Sequence, residues 1–303
     1  MFIGNINTIP SIANLPGQCG GANPSVESFA FEFTNQSNNS IQVDATEYPN
    51  PQQYNALTSN YSISCLIKID ANFFVNPSPG VTKIYRIVDK ENIQAGTPRG
   101  YGISLFNSTN GGGTNLKGFR VAAYRSGSNV SSGRAQYNLA GSLLTADKIY
   151  FVVATYDGAG VVKLYLKDSS GDVVGPQSRT LGGGTGDIIN STGAFTIGNT
   201  SPSSATQGFG GQIDEVGIWS TTLTSTQIDT LGNLYRNNDS VNLSTAFSGS
   251  PQPKGWYKMG EGATFTSNQW NMPNDGNEPD FKNLKSDTML ESARKSPGLV
   301  PQF

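Results

Sequence analysis

The sharpest candidate for chemistry is a carboxylate, Asp214, in the run G-F-G-G-Q-I-D-E-V-G-I-W. Residues 212–219 alternate so that Asp214, Val216 and Ile218 share one face if the strand carries no bulge. A carboxylate beside Val and Ile needs a partner, a metal ion or nearby backbone amides, and all three stay open here. Glu215, its neighbour, faces the opposite way on a regular strand. A second kind of site would bind sugar, which takes exposed aromatic rings for stacking with amide and arginine donors beside them. Tyr101, Arg120, Tyr124 and Arg125 are the candidates, with the Asn/Ser/Gly-rich loop Asn107–Asn115 nearby. Each of the four, taken singly, also fits an ordinary strand position. Trp219 and Trp256 sit in apolar surroundings that suit core or anchor residues.

Other chemistry is narrowed by what the chain lacks. Histidine is absent from all 303 residues. This removes histidine-dependent triads, histidine-rich zinc sites and the commonest general base, leaving carboxylates, Lys, Tyr or Cys. Of the two cysteines, Cys65 lies in an apolar strand pattern and reads as a small buried hydrophobe. Cys19 lies in a Gly-rich leader; its pairing with Cys65 is left open, and two cysteines make no disulfide framework. The Gly111–Gly113 and Gly182–Gly184 runs lack the strand-before, helix-after setting of a phosphate cradle. A net charge of −2 gives no basic footprint for nucleic acid.

The elements that must position these residues are mostly strands. Gly, Ser, Thr and Asn are abundant and only 14% of residues are charged, which suits short strands joined by turns. Phe29, Phe31 and Phe33 alternate with Ala30 and Glu32, and Ile41 and Val43 follow a polar turn. Residues 61–69 put Tyr61, Ile63, Cys65, Ile67 and Ile69 on one face. Strands are also expected over 84–90, 100–106 and 118–124. The near-continuous apolar run in 144–156 fits a strand covered on both faces. In 161–167, Val162, Leu164 and Leu166 point inward and Lys163, Tyr165 and Lys167 outward, before a Ser-Ser-Gly-Asp turn. A short helix follows near 224–231: Thr224 caps, Gln227 completes a capping box, Leu223 staples to Ile228 and Gly232 stops it.

Three stretches carry a family resemblance: Y-S-I-S-C-L-I-K-I (61–69), L-T-A-D-K-I-Y-F-V-V-A-T-Y-D-G (144–158), and T-I-G-N through G-Q-I-D-E-V-G-I-W to L-T-S-T-Q-I (196–228). In this order they are similar to laminin-G-like domains of the concanavalin A-like lectin and glucanase superfamily, some of which phages mount as structural parts. The sequence departs from the usual pattern at Leu66 and Ile149, where Trp is frequent, and at Phe151, where His is frequent. The resemblance implies an all-β, concanavalin A-like jelly-roll β-sandwich of two antiparallel sheets, with one short helix and extended N- and C-terminal arms. It divides the chain into an N-terminal arm (1–27), the jelly-roll domain (28–232) and a C-terminal extension (233–303) anchored by the G-W-Y-K-M-G-E-G hook.

The resemblance also implies possible cofactors and excludes others. In relatives the strand equivalent to 212–219 contributes to a structural calcium site, so calcium is the expected ion and Asp214 its first ligand. Glucanases of the superfamily carry two glutamates flanking an aspartate on one strand face. No such run is present, and the expectation is a protein that is not an enzyme, a glycan hydrolase being the weakest alternative. The remaining expectation is a virion surface protein, a phage fibre or capsid-decoration part with a lectin-like module for glycans or host surfaces. An exported bacterial lectin or adhesin in an extracellular setting is the alternative. Expected partners are glycans, other virion subunits and further copies of the chain, with neither nucleic acid nor membrane insertion. The first residues carry no basic region and no apolar run of a secretory signal.

Overall fold

Alternating apolar residues fold this chain into strands, and a computed structural model describes nineteen of them. It describes residues 29–34, 40–43, 57, 59–91, 98–140, 142–200, 206–237, 241–248, 250–277, 283–286, 289, 291–296, 298, 299 and 303. The expected N-terminal arm, with Cys19, lies outside the described residues. In chain order the strands are β1 (Ala30–Thr34), β2 (Ile41–Val43), β3 (Tyr61–Ile69), β4 (Thr82–Asp89), β5 (Tyr101–Thr109), β6 (Asn115–Ala123), β7 (Arg125–Ser126), β8 (Arg134–Leu139), β9 (Ile149–Tyr156) and β10 (Val161–Asp168). There follow β11 (Gly171–Thr180), β12 (Thr185–Ile188), β13 (Thr196–Ile197), β14 (Gly210–Trp219), helix α1 (Ser225–Asn237), β15 (Gly255–Tyr257), β16 (Thr264–Thr266), β17 (Gln269–Met272), β18 (Leu284–Ser286) and β19 (Arg294–Lys295).

These strands make two large antiparallel sheets, the expected sandwich, plus a small β12–β7 pair. One sheet runs β11-β10-β9-β3-β14-β1-β19, with β15 also paired to β14; the other runs β16-β17-β18-β2-β13-β4-β5-β6-β8. The main core lies between them. Ile63, Cys65 and Ile67 of β3, Val152 of β9, Leu164 of β10 and Ile213 of β14 share it with Tyr85, Ile103, Leu105, Phe119, Val121 and Tyr137 of the facing sheet. Cys65 is fully buried and its thiol is free, a packing residue as its setting suggested.

The intervening side chains of the same strands build a second core. Leu66, Phe151, Val153, Tyr165 and Trp219 point away from the sandwich and meet Ile228, Leu231 and Tyr235 of α1, with Leu243, Trp256, Leu299 and Phe303. All eight residues of β9 are therefore buried, which accounts for its unbroken apolar run. The helix begins as the capping box dictates: Thr224 N–H donates to Gln227 Oε1 at 2.9 Å, and Gln227 N–H to Thr224 Oγ1 at 3.3 Å.

The helix does not stop at Gly232; it runs on to Asn237. Gly232 serves close packing instead, because a Cβ there would lie 2.9 Å from Lys167 Cδ. Lys167 is held across that contact by Asp172 and by Asp229, 2.8 Å away on the helix. The C-terminal residues do more than hook on once. β18 extends one sheet through β2, β19 extends the other through β1, and β15 pairs with β14.

Candidate functional site

Asp214 and Glu215 occupy a break in β14. The register to β3 shifts between Asp214 and Gly217, and Glu215 adopts φ 51°, in the left-handed region. The bulge corrects the expected facing. Ile213, Val216 and Ile218 point into the main core, while Asp214 reaches the second core with Leu66, its partner across the strands. Asp214 is 1% exposed; Oδ1 accepts the Glu215 N–H at 2.9 Å and Oδ2 the Leu299 N–H at 2.8 Å. Glu215 turns to Trp256, whose Nε1–H donates to Oε2 at 2.7 Å. Burial raises both carboxyls, Asp214 further through Glu215 and Glu261, and Glu215 to about 8 despite the Trp256 bond.

This donor set does not fit a calcium ion. Hard cations take several ionised or carbonyl oxygens turned to one point. Here both oxygens of Asp214 are committed to backbone amides, and burial disfavours its charged form. Among the described residues no three Asp, Glu or Cys side chains gather as metal ligands. Of the alternatives open at Asp214, backbone amides are the one the structure shows.

The four residues expected to bind sugar separate into three settings. Tyr101 is 2% exposed and Tyr124 fully buried, so neither ring offers a stacking face. Tyr101 lies on the inward side of β5, packed against Tyr61 with centroids 5.3 Å apart. Arg125 is also buried, its guanidinium donating to the carbonyls of Leu181 and Gly183 at 3.2 and 3.1 Å; it clamps a loop. Arg120 alone borders an open pocket, together with Val130, Ser131, Arg134 and Gln136, with a volume of about 350 Å³.

That pocket rests on the outward side of the second sheet, and strand register assembles it. Arg86, Ser104, Arg120 and Gln136 stand opposite one another on β4, β5, β6 and β8 in one transverse row. Their neighbours along each strand, such as Phe119 and Val121 or Ala135 and Tyr137, fill the main core. The Arg120 guanidinium lies 5.0 Å from the Phe106 ring centre, and its Nε–H donates to Gln136 Oε1 at 3.0 Å.

Beneath the pocket is a buried ionic network. Arg86 Nη1 donates to Asp89 Oδ1 at 2.9 Å and also to Glu91 Oε1. Arg134 Nη2 donates to Glu91 Oε2 at 2.6 Å, and the Tyr124 hydroxyl donates to the same oxygen at 3.1 Å. Tyr124 thus belongs beside the pocket as a support: Arg134 lies 5.7 Å above its ring, and a Cβ at Gly133 would come within 2.2 Å of its Cδ1. Burial opposes the charge on Glu91, yet Arg86 and Arg134 hold its carboxyl down at about 2. For Asp89 burial wins over Arg86, and Glu91 adds to it, so its carboxyl is raised.

Asp89 and Glu91 are split in the way an acid–base pair is split. Both, however, are 5% exposed or less and spent on guanidinium and hydroxyl partners. Neither lines the pocket, where hydrolysis would need two carboxyls flanking the bond to be cut. Sequence reasoning missed Arg86, Asp89, Glu91, Arg134 and Gln136. The signal available for the last two was the alternation of Arg134, Gln136 and Asn138 with Ala135, Tyr137 and Leu139.

The sequence model of Laminin_G_3, of the concanavalin A-like lectin/glucanases superfamily, matches residues 44–229. The chain belongs to this family. No curated protein matches it in sequence. Among solved structures, this laminin-G-like chain is similar to a Bacteroides ovatus protein named as a candidate carbohydrate binding protein, at 16% identity and TM-score 0.47. That alignment covers 89% of this chain and 60% of the other, so the chain spans less than two thirds of that relative's length. A Trypanosoma rangeli sialidase in complex with sialic acid is 16% identical with TM-score 0.41, over 69% of this chain and 28% of the enzyme. A heptameric pentraxin of Limulus polyphemus is 15% identical with TM-score 0.35, over 70% and 78%.

Proposed function

We propose that this laminin-G-like chain is a non-enzymatic glycan-binding module, and that the pocket at Arg120 and Gln136 receives the sugar. The observation that carries this reading is the pocket itself. It is an open recess of about 350 Å³ on the outward face of a sheet, lined by guanidinium, amide and hydroxyl groups with Val130 at its edge. Such groups match the hydroxyls of a sugar, and the volume suits one or two sugar rings. The setting we propose is a particle or cell surface, such as a phage fibre or capsid decoration. Its support is the Gly/Ser/Thr/Asn-rich, weakly charged sequence around a rigid sandwich. The partners there are host glycans and neighbouring subunits.

A glycan array probed with the full chain tests the reading. Specific binding that persists in chelator and disappears in Gln136→Ala is the expected result. Reducing-sugar release from bound polysaccharide would overturn the non-enzymatic assignment. Binding abolished by chelator would restore a metal-dependent site. For the setting, deleting residues 1–27, which lie outside the described residues, is expected to prevent incorporation into particles without affecting glycan binding.

A further inference from the structure

Two guanidinium groups, Arg120 and Arg134, line the pocket and a third, Arg86, lies in the buried network beneath it, but only two carboxylates answer the three. Arg86 is paired with Asp89 and Glu91, and Arg134 shares Glu91. Arg120 has no carboxylate partner among the described residues. Its Nε–H is spent on the neutral oxygen of Gln136, and its ring contact is with Phe106. The four N–H donors on its two Nη atoms have no protein acceptor among the described residues. The guanidinium is anchored at Nε by Gln136, with its carbon 5.0 Å from the Phe106 ring centre, which leaves the Nη pair able to make two parallel hydrogen bonds to a carboxylate or sulfate.

Resting on the glycan-binding reading, we infer that the ligand is an acidic glycan whose carboxylate or sulfate is held by the Nη atoms of Arg120. The sugar body then lies toward Val130, Ser131 and Gln136. Arg134 adds positive potential without offering its Nη2, which Glu91 already holds. The surroundings agree with this charge balance: burial and the nearby Arg134 and Arg86 disfavour the charge on Arg120, a cost that an incoming anion removes.

The test is calorimetric titration of the full chain with four oligosaccharides of one backbone: neutral, uronate-bearing, uronate methyl ester and sulfated. Charge-assisted pairs are about twice as strong as neutral ones, so an affinity gain of about tenfold to a hundredfold over the neutral sugar is expected. The gain should shrink as salt rises. Preference for uronate over sulfate, or the reverse, identifies the anion. Arg120→Gln should bring acidic and neutral sugars to equal affinity with an unchanged melting temperature, and Arg120→Lys should restore part of the difference. Equal binding of neutral and acidic members by the unaltered chain would overturn the anion inference while leaving the glycan-binding reading intact. Absence of binding to all four, with a folded protein, would overturn both.

Discussion

At the scale of single residues, the chain separates its buried charges into two kinds. Glu91 keeps its charge because Arg86 and Arg134 surround it, and the three together act as a brace under the pocket floor. Among the described residues Asp214 and Glu215 have no salt-bridge partner, and burial favours their protonated forms. The sign of the pH dependence follows. A carboxyl raised from 4.5 to about 8 contributes its full stability below 4.5 and loses it as pH rises toward 8. Asp214 and Asp89, both raised, act in the same direction. Unfolding free energy is therefore expected to fall from pH 5 to pH 8, by at most about 1.4 kcal/mol per pH unit for each proton, and the thermal midpoint to fall with it. Glu215→Gln, which keeps an oxygen for the Trp256 N–H, should flatten that slope in part; an unchanged slope would show that Glu215 titrates normally.

At the scale of elements, the legible parts of the sequence were those whose pattern is local. The strand over 61–69 is legible to the residue because its apolar positions alternate without interruption. The helix start was equally plain, since Thr224 and Gln227 meet within one turn. Thr224→Ala is expected to cost about 1 kcal/mol, read as a shift in urea midpoint with unchanged slope. The β14 bulge was not legible. Glu215 takes a left-handed φ that glycine or asparagine would have signalled, and what holds it there is Trp256, some forty positions onward in the chain. The helix end is not legible for a related reason, because Gly232 answers to Lys167 and not to its own backbone. The pocket row was hidden more deeply. Arg86, Ser104, Arg120 and Gln136 become neighbours only through register, and no spacing along the chain announces it.

For the whole molecule, the sandwich and its covering helix were foreseeable from patterning, whereas the contribution of the C-terminal residues was not. Leu299 satisfies Asp214, Phe303 packs on Phe151 and Tyr235, and β18 and β19 pair with the first two strands. Ending the chain after residue 282 removes all of these. The loss of Leu299 and Phe303 burial alone is about 3–6 kcal/mol, much of a typical domain's margin. The shortened chain is expected to melt far lower or to precipitate; a midpoint within a degree or two of the intact chain would mean that these strands are decorative.

The sheet order β9-β3-β14-β1-β19 carries a further consequence, one of time. Each of its inner neighbours comes from a distant part of the chain, so the sheet cannot close by zipping up successive hairpins. Hairpins such as β9–β10 and β5–β6 can form early, but β14 must wait for β3, and β1 for β14. Refolding is slow on this scheme, and the same threading obstructs the reverse path, because freeing β14 means parting it from β3, β1 and β15 together. Such a protein is expected to survive through the slowness of its opening, read as a small unfolding rate after a jump into denaturant; rapid single-step unfolding there would show that the threading offers no kinetic barrier.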